Sequence, residues 1–230
     1  MDPYDNVEFL SQGSLGESAF EILRDSILKG RLFAGQHLVE TTLARDLGIS
    51  RGPLREALAL LQKDGLVEVL PRRGRFVLGF TQRSLDEFYS LRQVMEVFAV
   101  ELVIGSLNEP KKRALEEAAR GMEAAEVTRQ MAHIIAADLG FHQLLYDLAD
   151  HQLLQRTWAD TLASKLQLLI HLTVPSEYQP LSDGSNHQRL VAAILARDVK
   201  GAQKLALNHI EDARQRAHNA ISKQLEAASP

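Results

Sequence analysis

The spacing of apolar residues along this chain changes character in one place. After Gly65, Val67 and Val69 alternate with Glu68 and Leu70, Pro71-Arg72-Arg73-Gly74 supplies turn chemistry, and a second short run extends from Arg75 to Leu78. That pattern predicts a two-stranded hairpin. Beyond Thr81 no strand pattern returns, and apolar residues recur every third or fourth position. Such a chain has to close its core by packing helix on helix, so the predicted fold class is mainly α.

Ahead of the hairpin, residues 1–14 are acidic and aperiodic and are read as a loose tail. Leu15, Ala19, Ile22, Leu23, Ser26 and Ile27 then share a helical face that ends at Gly30. A short helix follows, with Thr41 as its cap, Leu43, Ala44 and Leu47 inside and Gly48 as its stop. Ser50 caps the next helix, Pro53 sits in its first turn, and Leu54, Ala57, Leu58 and Leu61 form its apolar face.

A short helix, a tight turn and a second helix match a helix-turn-helix, whose second member can enter the major groove of DNA. Arg51 and Arg55 lie about 40° apart around that helix, away from the leucines. Their guanidiniums suit guanine O6 and N7 or a phosphate, and the free N–H groups at the helix start also suit a phosphate. Arg72, Arg73 and Arg75 around Gly74 predict a basic wing, with Gly74 letting the backbone approach a minor groove. Arg45 and Thr41 are secondary candidates, since Arg45 can pair with a neighbouring acid and Thr41 can serve only as a cap. The charge distribution agrees: from Arg24 to Arg75 there are ten basic against six acidic residues, over 81–230 sixteen against nineteen. An ordinary helical hairpin with solvated arginines is the competing reading, which the basic hairpin disfavours.

From about Ser84, the residues Leu85, Phe88, Leu91, Met95, Phe98 and Leu102 step through a long amphipathic helix and are read as core. Further helices are predicted near 109–128, 131–149, 151–172, 184–196 and 198–224, with a loop over 173–185 where Pro175, Pro180, Asp183 and Gly184 fall. Six helices make a bundle. Because the chain has no cysteine, any metal must be held by His, Asp or Glu. Asp138 and His142 are four apart and project from one helical face, while His187 and His209 lie on two later helices. Together they would suit Zn, Ni or Mn, yet on spacing alone four such residues are more often separate polar groups. His133 and His218 are out of phase with these and should face away. Arg92 is a candidate for meeting an anion through paired hydrogen bonds, although Glu96 one turn on can occupy it instead. Trp158 and Tyr146 are read as buried. A metal-dependent hydrolase using the Asp and three His is the rival reading. Against it, no general base, Gly-rich phosphate loop or serine nucleophile motif accompanies them.

The stretch Leu38-Val39-Glu40, Leu43-Ala44, Leu47-Gly48-Ile49-Ser50-Arg51, Pro53 to Leu58, Leu61, Gly65-Leu66-Val67 and Arg72-Arg73-Gly74 resembles the winged helix-turn-helix of GntR-family transcription regulators. The resemblance implies that Arg51, Arg55 and the wing tip contact operator DNA. Ala34 stands where the family usually has proline, and Gly52 stands at a contact position where a hydroxyl-bearing or larger residue is common. Leu91-Arg92 with Glu96, Asp138 with Phe141-His142, His187 with Ala193-Ile194, and His209 resemble the all-helical effector domain of the FadR-type branch. An antiparallel bundle of six helices, rather than seven, places the chain nearer its VanR-like subgroup. Asn186 and Asp150-His151 depart from that pattern.

The implied organisation is a tail over 1–14, a winged helix-turn-helix over 15–80, and a helical domain over 81–225 that binds metal and effector and dimerises. The implied function is a non-enzymatic, ligand-responsive repressor acting as a homodimer on a roughly palindromic operator. Asp138, His142, His187 and His209 would hold a divalent metal, zinc first, with a small organic acid beside it and Arg92. No apolar run approaches the roughly 20 residues of a membrane span, and the start lacks signal-peptide character, so a cytoplasmic location is expected.

Overall fold

A computed structural model describes residues 15–173 and 185–227. The expected tail over 1–14 and the expected loop over 173–185, apart from its two helical end residues, lie outside the described residues. The chain divides into two compact units, Met1–Leu78 and Gly79–Pro230.

In the first unit, α1 (Leu15–Leu28), α2 (Glu40–Leu47) and α3 (Arg51–Lys63) precede β1 (Val67–Leu70) and β2 (Gly74–Val77). The α1 and α3 helices pack together and bury Ala19, Leu23 and Ile27 with Leu54, Ala57, Leu58 and Leu61. Leu15 and Ile22, expected on the buried face of α1, are instead 62% and 53% exposed. The buried stripe runs through Gly16, Ala19, Leu23 and Ile27, rotated by about half of one residue's turn of roughly 100°.

The α2 helix starts at Glu40, with Val39 as its N-cap residue. Thr41 therefore lies inside the first turn and is no cap, because the extended segment before the helix ends two residues earlier than expected. Gly48 does end α2 in the left-handed region, at φ 66°. Ser50 occupies the N-cap position of α3, although its side chain makes no capping hydrogen bond.

The hairpin is antiparallel, pairing Val67 with Val77 and Leu70 with Gly74. Its turn is closed by Arg73 N–H donating to Leu70 O at 3.0 Å, with Pro71 and then Arg72 at φ 61° between them. That is type II turn geometry, which asks for φ above zero at the residue after proline. Val67 is buried whereas Val69, on the same face, is 48% exposed, since the hairpin tip projects past the helices that cover its base. Residues 35–38 run along the free edge of β2, where Gly35 and Leu38 N–H groups donate to Val77 O and Arg75 O.

The second unit contains α4 (Gln82–Gly105), α5 (Glu109–Thr128), α6 (Met131–Leu148), α7 (Gln152–Thr157), a π-helical turn (Trp158–Leu162), α8 (Ala163–Thr173), α9 (Ser185–Leu195) and α10 (Val199–Ala227). The segment from α7 through α8 is continuous and corresponds to one predicted helix, so the described bundle has six rods. Thr81 and Ser84 close a reciprocal capping box that starts α4 two residues ahead of Ser84. The long α4 packs against α10, α6 and α9.

Two residues expected in the core of α4 are not there: Leu91 and Phe98 are 43% and 42% exposed, and Val94 is 70% exposed. The buried flank carries Leu85, Tyr89, Arg92, Met95, Glu96, Ala99 and Val103 instead. Two charged residues thus occupy core positions that apolar periodicity assigns to neighbours. Trp158 and Tyr146 are fully buried and stacked, with ring centroids 4.7 Å apart. Among the described residues, no helix is long and apolar enough to cross a membrane.

Candidate functional site

At the start of α3, Arg51, Gly52 and Arg55 are exposed, while Leu54, Ala57, Leu58 and Leu61 behind them have no exposure at all. The apolar face anchors the helix and leaves both guanidiniums available for a duplex. Glu40 sits among them: its Oε2 accepts from Arg55 Nε at 2.8 Å, and its Oε1 accepts from Arg75 Nη1. The Arg55 hydrogen bond holds the Glu40 carboxyl below the ordinary carboxylate range, against a smaller opposing effect of burial and with help from Arg75 and Arg51. Arg75 therefore faces Glu40 rather than projecting from the wing.

Arg72 and Arg73 are exposed at the wing tip, and the Arg73 guanidinium lies 5.5 Å from the Phe76 ring centroid. Gly74 adopts φ +99°, and a Cβ there would come within 2.8 Å of His37 Nε2. The His37 ring stacks on Phe76 with centroids 4.7 Å apart, so glycine at 74 makes room for a neighbouring residue of the same unit. Arg45 pairs with adjacent Asp46 at 2.9 Å, as its competing reading anticipated. Thr41 is exposed in the first turn of α2.

In the helical unit, Asp138 and His142 of α6, His187 of α9 and His209 of α10 converge. One ligand atom from each lies within 4.8 Å of all the others. His142, His187 and His209 are buried, and Asp138 is the most accessible of the four. His187 Nε2 lies 3.4 Å from Asp138 Oδ1, yet neither nitrogen of this buried ring has a hydrogen-bond partner among the described residues. Orphaned buried nitrogens of this kind need a partner of some sort. Burial pushes His187 down to about 4, and burial together with His187 and His142 pushes His209 well below its usual value. Both rings are accordingly neutral at pH 7, the form that donates a lone pair to a metal. Burial alone would raise Asp138, but the positive charge that the neighbouring imidazoles take up in acid, together with that of Arg92, outweighs it and holds the carboxyl below the ordinary carboxylate range. The donor set therefore fits a divalent cation of the zinc type.

Arg92 and Glu96 form the floor beside this cluster. Arg92 is 1% exposed; it donates from Nε to Glu96 Oε2 at 3.2 Å, and its Nη2 lies 2.6 Å from His142 Nε2. Glu96 Oε1 lies 3.0 Å from His142 Nδ1, though not aligned as a full hydrogen bond. The expected Arg92–Glu96 pair exists, then, but as a buried charge pair in contact with the histidine cluster. Burial disfavours the Glu96 anion, and His142 with Arg92 more than compensates, leaving it firmly ionised. His133 is exposed and His218 pairs with Asp86 at 2.9 Å, both apart from the cluster. Residue spacing assigned no role to Glu40 or His37, and made Glu96 only an intrahelical ion-pair partner of Arg92. Glu40, fifteen residues before Arg55, carried no spacing signal.

Residues 15–77 match the gntR family of bacterial regulatory proteins, and residues 87–212 match the FCD domain. The HTH-type transcriptional regulator YdhC of Bacillus subtilis is 30% identical over 192 residues, covering 81% of this chain and 84% of that one. The gluconate operon transcriptional repressor of Bacillus subtilis is 27% identical over 195 residues, covering 83% and 80%. Two solved structures share the fold. A GntR transcriptional regulator from Rhodococcus sp. RHA1 has a TM-score of 0.70 and 23% identity, over 89% of this chain and 97% of that one. Escherichia coli McbR/YncC has 0.68 and 24%, over 93% and 100%. These relatives are transcription regulators rather than enzymes, and the chain belongs to the GntR family of bacterial regulatory proteins, with an FCD domain following its helix-turn-helix.

Proposed function

We propose that this regulator is a cytoplasmic repressor that binds a roughly palindromic operator as a homodimer and changes its grip when a small organic acid binds beside a divalent cation in the helical unit. The four-residue cluster with its two orphaned His187 nitrogens carries the reading. Three imidazoles and one carboxylate favour zinc, with nickel or manganese as alternatives. Four protein donors leave room for an anion on an ion that accepts five or six, and a bound cation there would polarise and anchor a carboxylate.

Arg92 supplies the second anchor. Its Nη2 donates toward the His142 Nε2 lone pair, so Arg92 has to let go of His142 before that lone pair can serve a cation. A guanidinium released in this way, still tied to Glu96 through Nε, is free to take a carboxylate through its terminal nitrogens. Two reading helices in a dimer would meet two half-sites, whose spacing the acid adjusts through its different affinity for the two states. Because one relative is a gluconate operon repressor, sugar acids are the first acids to test.

The deciding experiment loads chelator-stripped protein with zinc, then titrates it with a panel of organic acids while operator affinity is followed. The reading expects one equivalent of zinc per chain, abolished by His187→Ala, and an acid-dependent change in DNA affinity. Identical DNA affinity with every acid, with zinc still bound, would leave the cation a purely structural role.

A further inference from the structure

Glu40 is an acid on a surface built to meet polyanions. It opens α2 and is three-quarters buried, its carboxylate shared between Arg55 of α3 and Arg75 of β2. A residue there repels phosphate and would be disfavoured if bulk affinity for DNA were the purpose. Its position explains it differently. The Arg75 bond fixes the carboxylate against the wing strand, and the carboxylate in turn fixes Arg55 through Nε alone, at 2.8 Å. The Arg55 side chain remains 61% exposed, and Nη1 and Nη2 make no further hydrogen bond among the described residues.

We propose that Glu40 is a positioning residue for base reading: it holds Arg55 by Nε so that the two terminal nitrogens point outward together. That end-on pair matches the two acceptors of a guanine, O6 and N7. An unheld arginine would sample many rotamers and could turn to a backbone phosphate, a contact that carries no sequence information. Glu40 opposes both, since it orders the guanidinium before binding and its own negative charge penalises a phosphate at the same place. Its contribution is to the difference between right and wrong sequences rather than to affinity as such. The inference rests on α3 being the groove-reading helix.

The test uses the full chain and a duplex that the wild-type protein selects from a randomised pool. Each G·C pair in the selected duplex is replaced in turn, and Arg55→Ala identifies the pair whose replacement no longer matters. Wild-type protein is expected to lose about 10- to 100-fold in affinity on replacing that pair. Glu40→Gln is expected to shrink this to a few-fold, while its affinity for an unrelated duplex is unchanged or rises because a repelling charge is gone. A merely structural role predicts equal weakening on all duplexes, and that outcome, or full retention of discrimination by Glu40→Gln, overturns the proposal. Where Glu40→Gln fails to fold, the wild type answers instead. The Nε-labelled Arg55 Hε in free protein should be protected from solvent exchange, and an unprotected Hε overturns the proposal. If Arg51→Ala and Arg55→Ala leave binding to every duplex intact, the reading of α3 itself has failed, and the two failures are distinguishable.

Discussion

Arg55 with Glu40 in the wing unit and Arg92 with Glu96 in the helical unit are the same chemical pair in opposite surroundings. Arg55 is 61% exposed, so water screens the attraction and its terminal nitrogens stay available to DNA while Nε remains on Glu40. Arg92 and Glu96 are 1% and 0% exposed, where each charge is tolerable only because the other is present. The first pair can orient a guanidinium without committing it. The second sits against His142, inside the core. A guanidinium that reads DNA needs the former; in the proposed acid-responsive role the latter would tie ligand binding to packing.

The largest expected effect tests the buried pair. Glu96→Gln should cost about 3–5 kcal/mol in urea unfolding, because it strands a buried guanidinium. The double change Arg92→Met with Glu96→Leu should recover most of that loss. Glu40→Gln should cost no more than about 1 kcal/mol in the same assay, and near-equal losses for the two glutamate variants would break the contrast. Acid comes next. In metal-free protein His187 is held at about 4 when folded, against about 6.5 when unfolded. Below pH 6.5 the unfolded chain takes up the proton first, so stability is intact above that pH and falls as pH drops toward 4. The loss reaches roughly 3 kcal/mol for this one ring, and His209 is shifted in the same direction. Urea midpoints measured in chelator from pH 7.5 to 4 check this, and a flat profile would contradict neutral burial.

A smaller effect concerns competition at His142. Arg92→Gln removes both a donor to the Nε2 lone pair and a nearby positive charge. Zinc affinity by competition with a chromogenic chelator should therefore rise about tenfold, roughly 1.4 kcal/mol, while acid binding to the zinc-loaded protein weakens. Unchanged zinc affinity would mean Arg92 does not contend for that lone pair. Smallest of all, Arg72→Gly relieves the left-handed strain at φ 61° and should stabilise the wing by up to about 1 kcal/mol. If the Arg72 guanidinium contacts a phosphate, the same substitution lowers the salt dependence of DNA binding by about one unit of slope.

Much of the wing unit was legible because its signals are local. Gly48 ends a helix, Pro71 to Gly74 make a turn, and Leu54, Ala57, Leu58 and Leu61 turn Arg51 and Arg55 outward. In the helical unit local pattern misled. Periodicity put Leu91 and Phe98 in the core, whereas the covered flank of α4 holds Arg92 and Glu96, since counting apolar residues does not reveal which flank a neighbour will cover. Asp138 and His142 were legible as one helical turn, but nothing in their spacing tied them to His187 or His209.

The order of elements, the hairpin after α3 and the outward arginines of α3 were determined by the sequence alone, because each depends on residues within a few turns of one another. Tertiary structure decided that α6, α9 and α10 bring one carboxylate and three imidazoles within 4.8 Å, and that Glu40 reaches both Arg55 and Arg75. Those meetings depend on how far each helix is rotated about its axis when its neighbours pack, a choice made by side-chain volumes remote from the residues that meet.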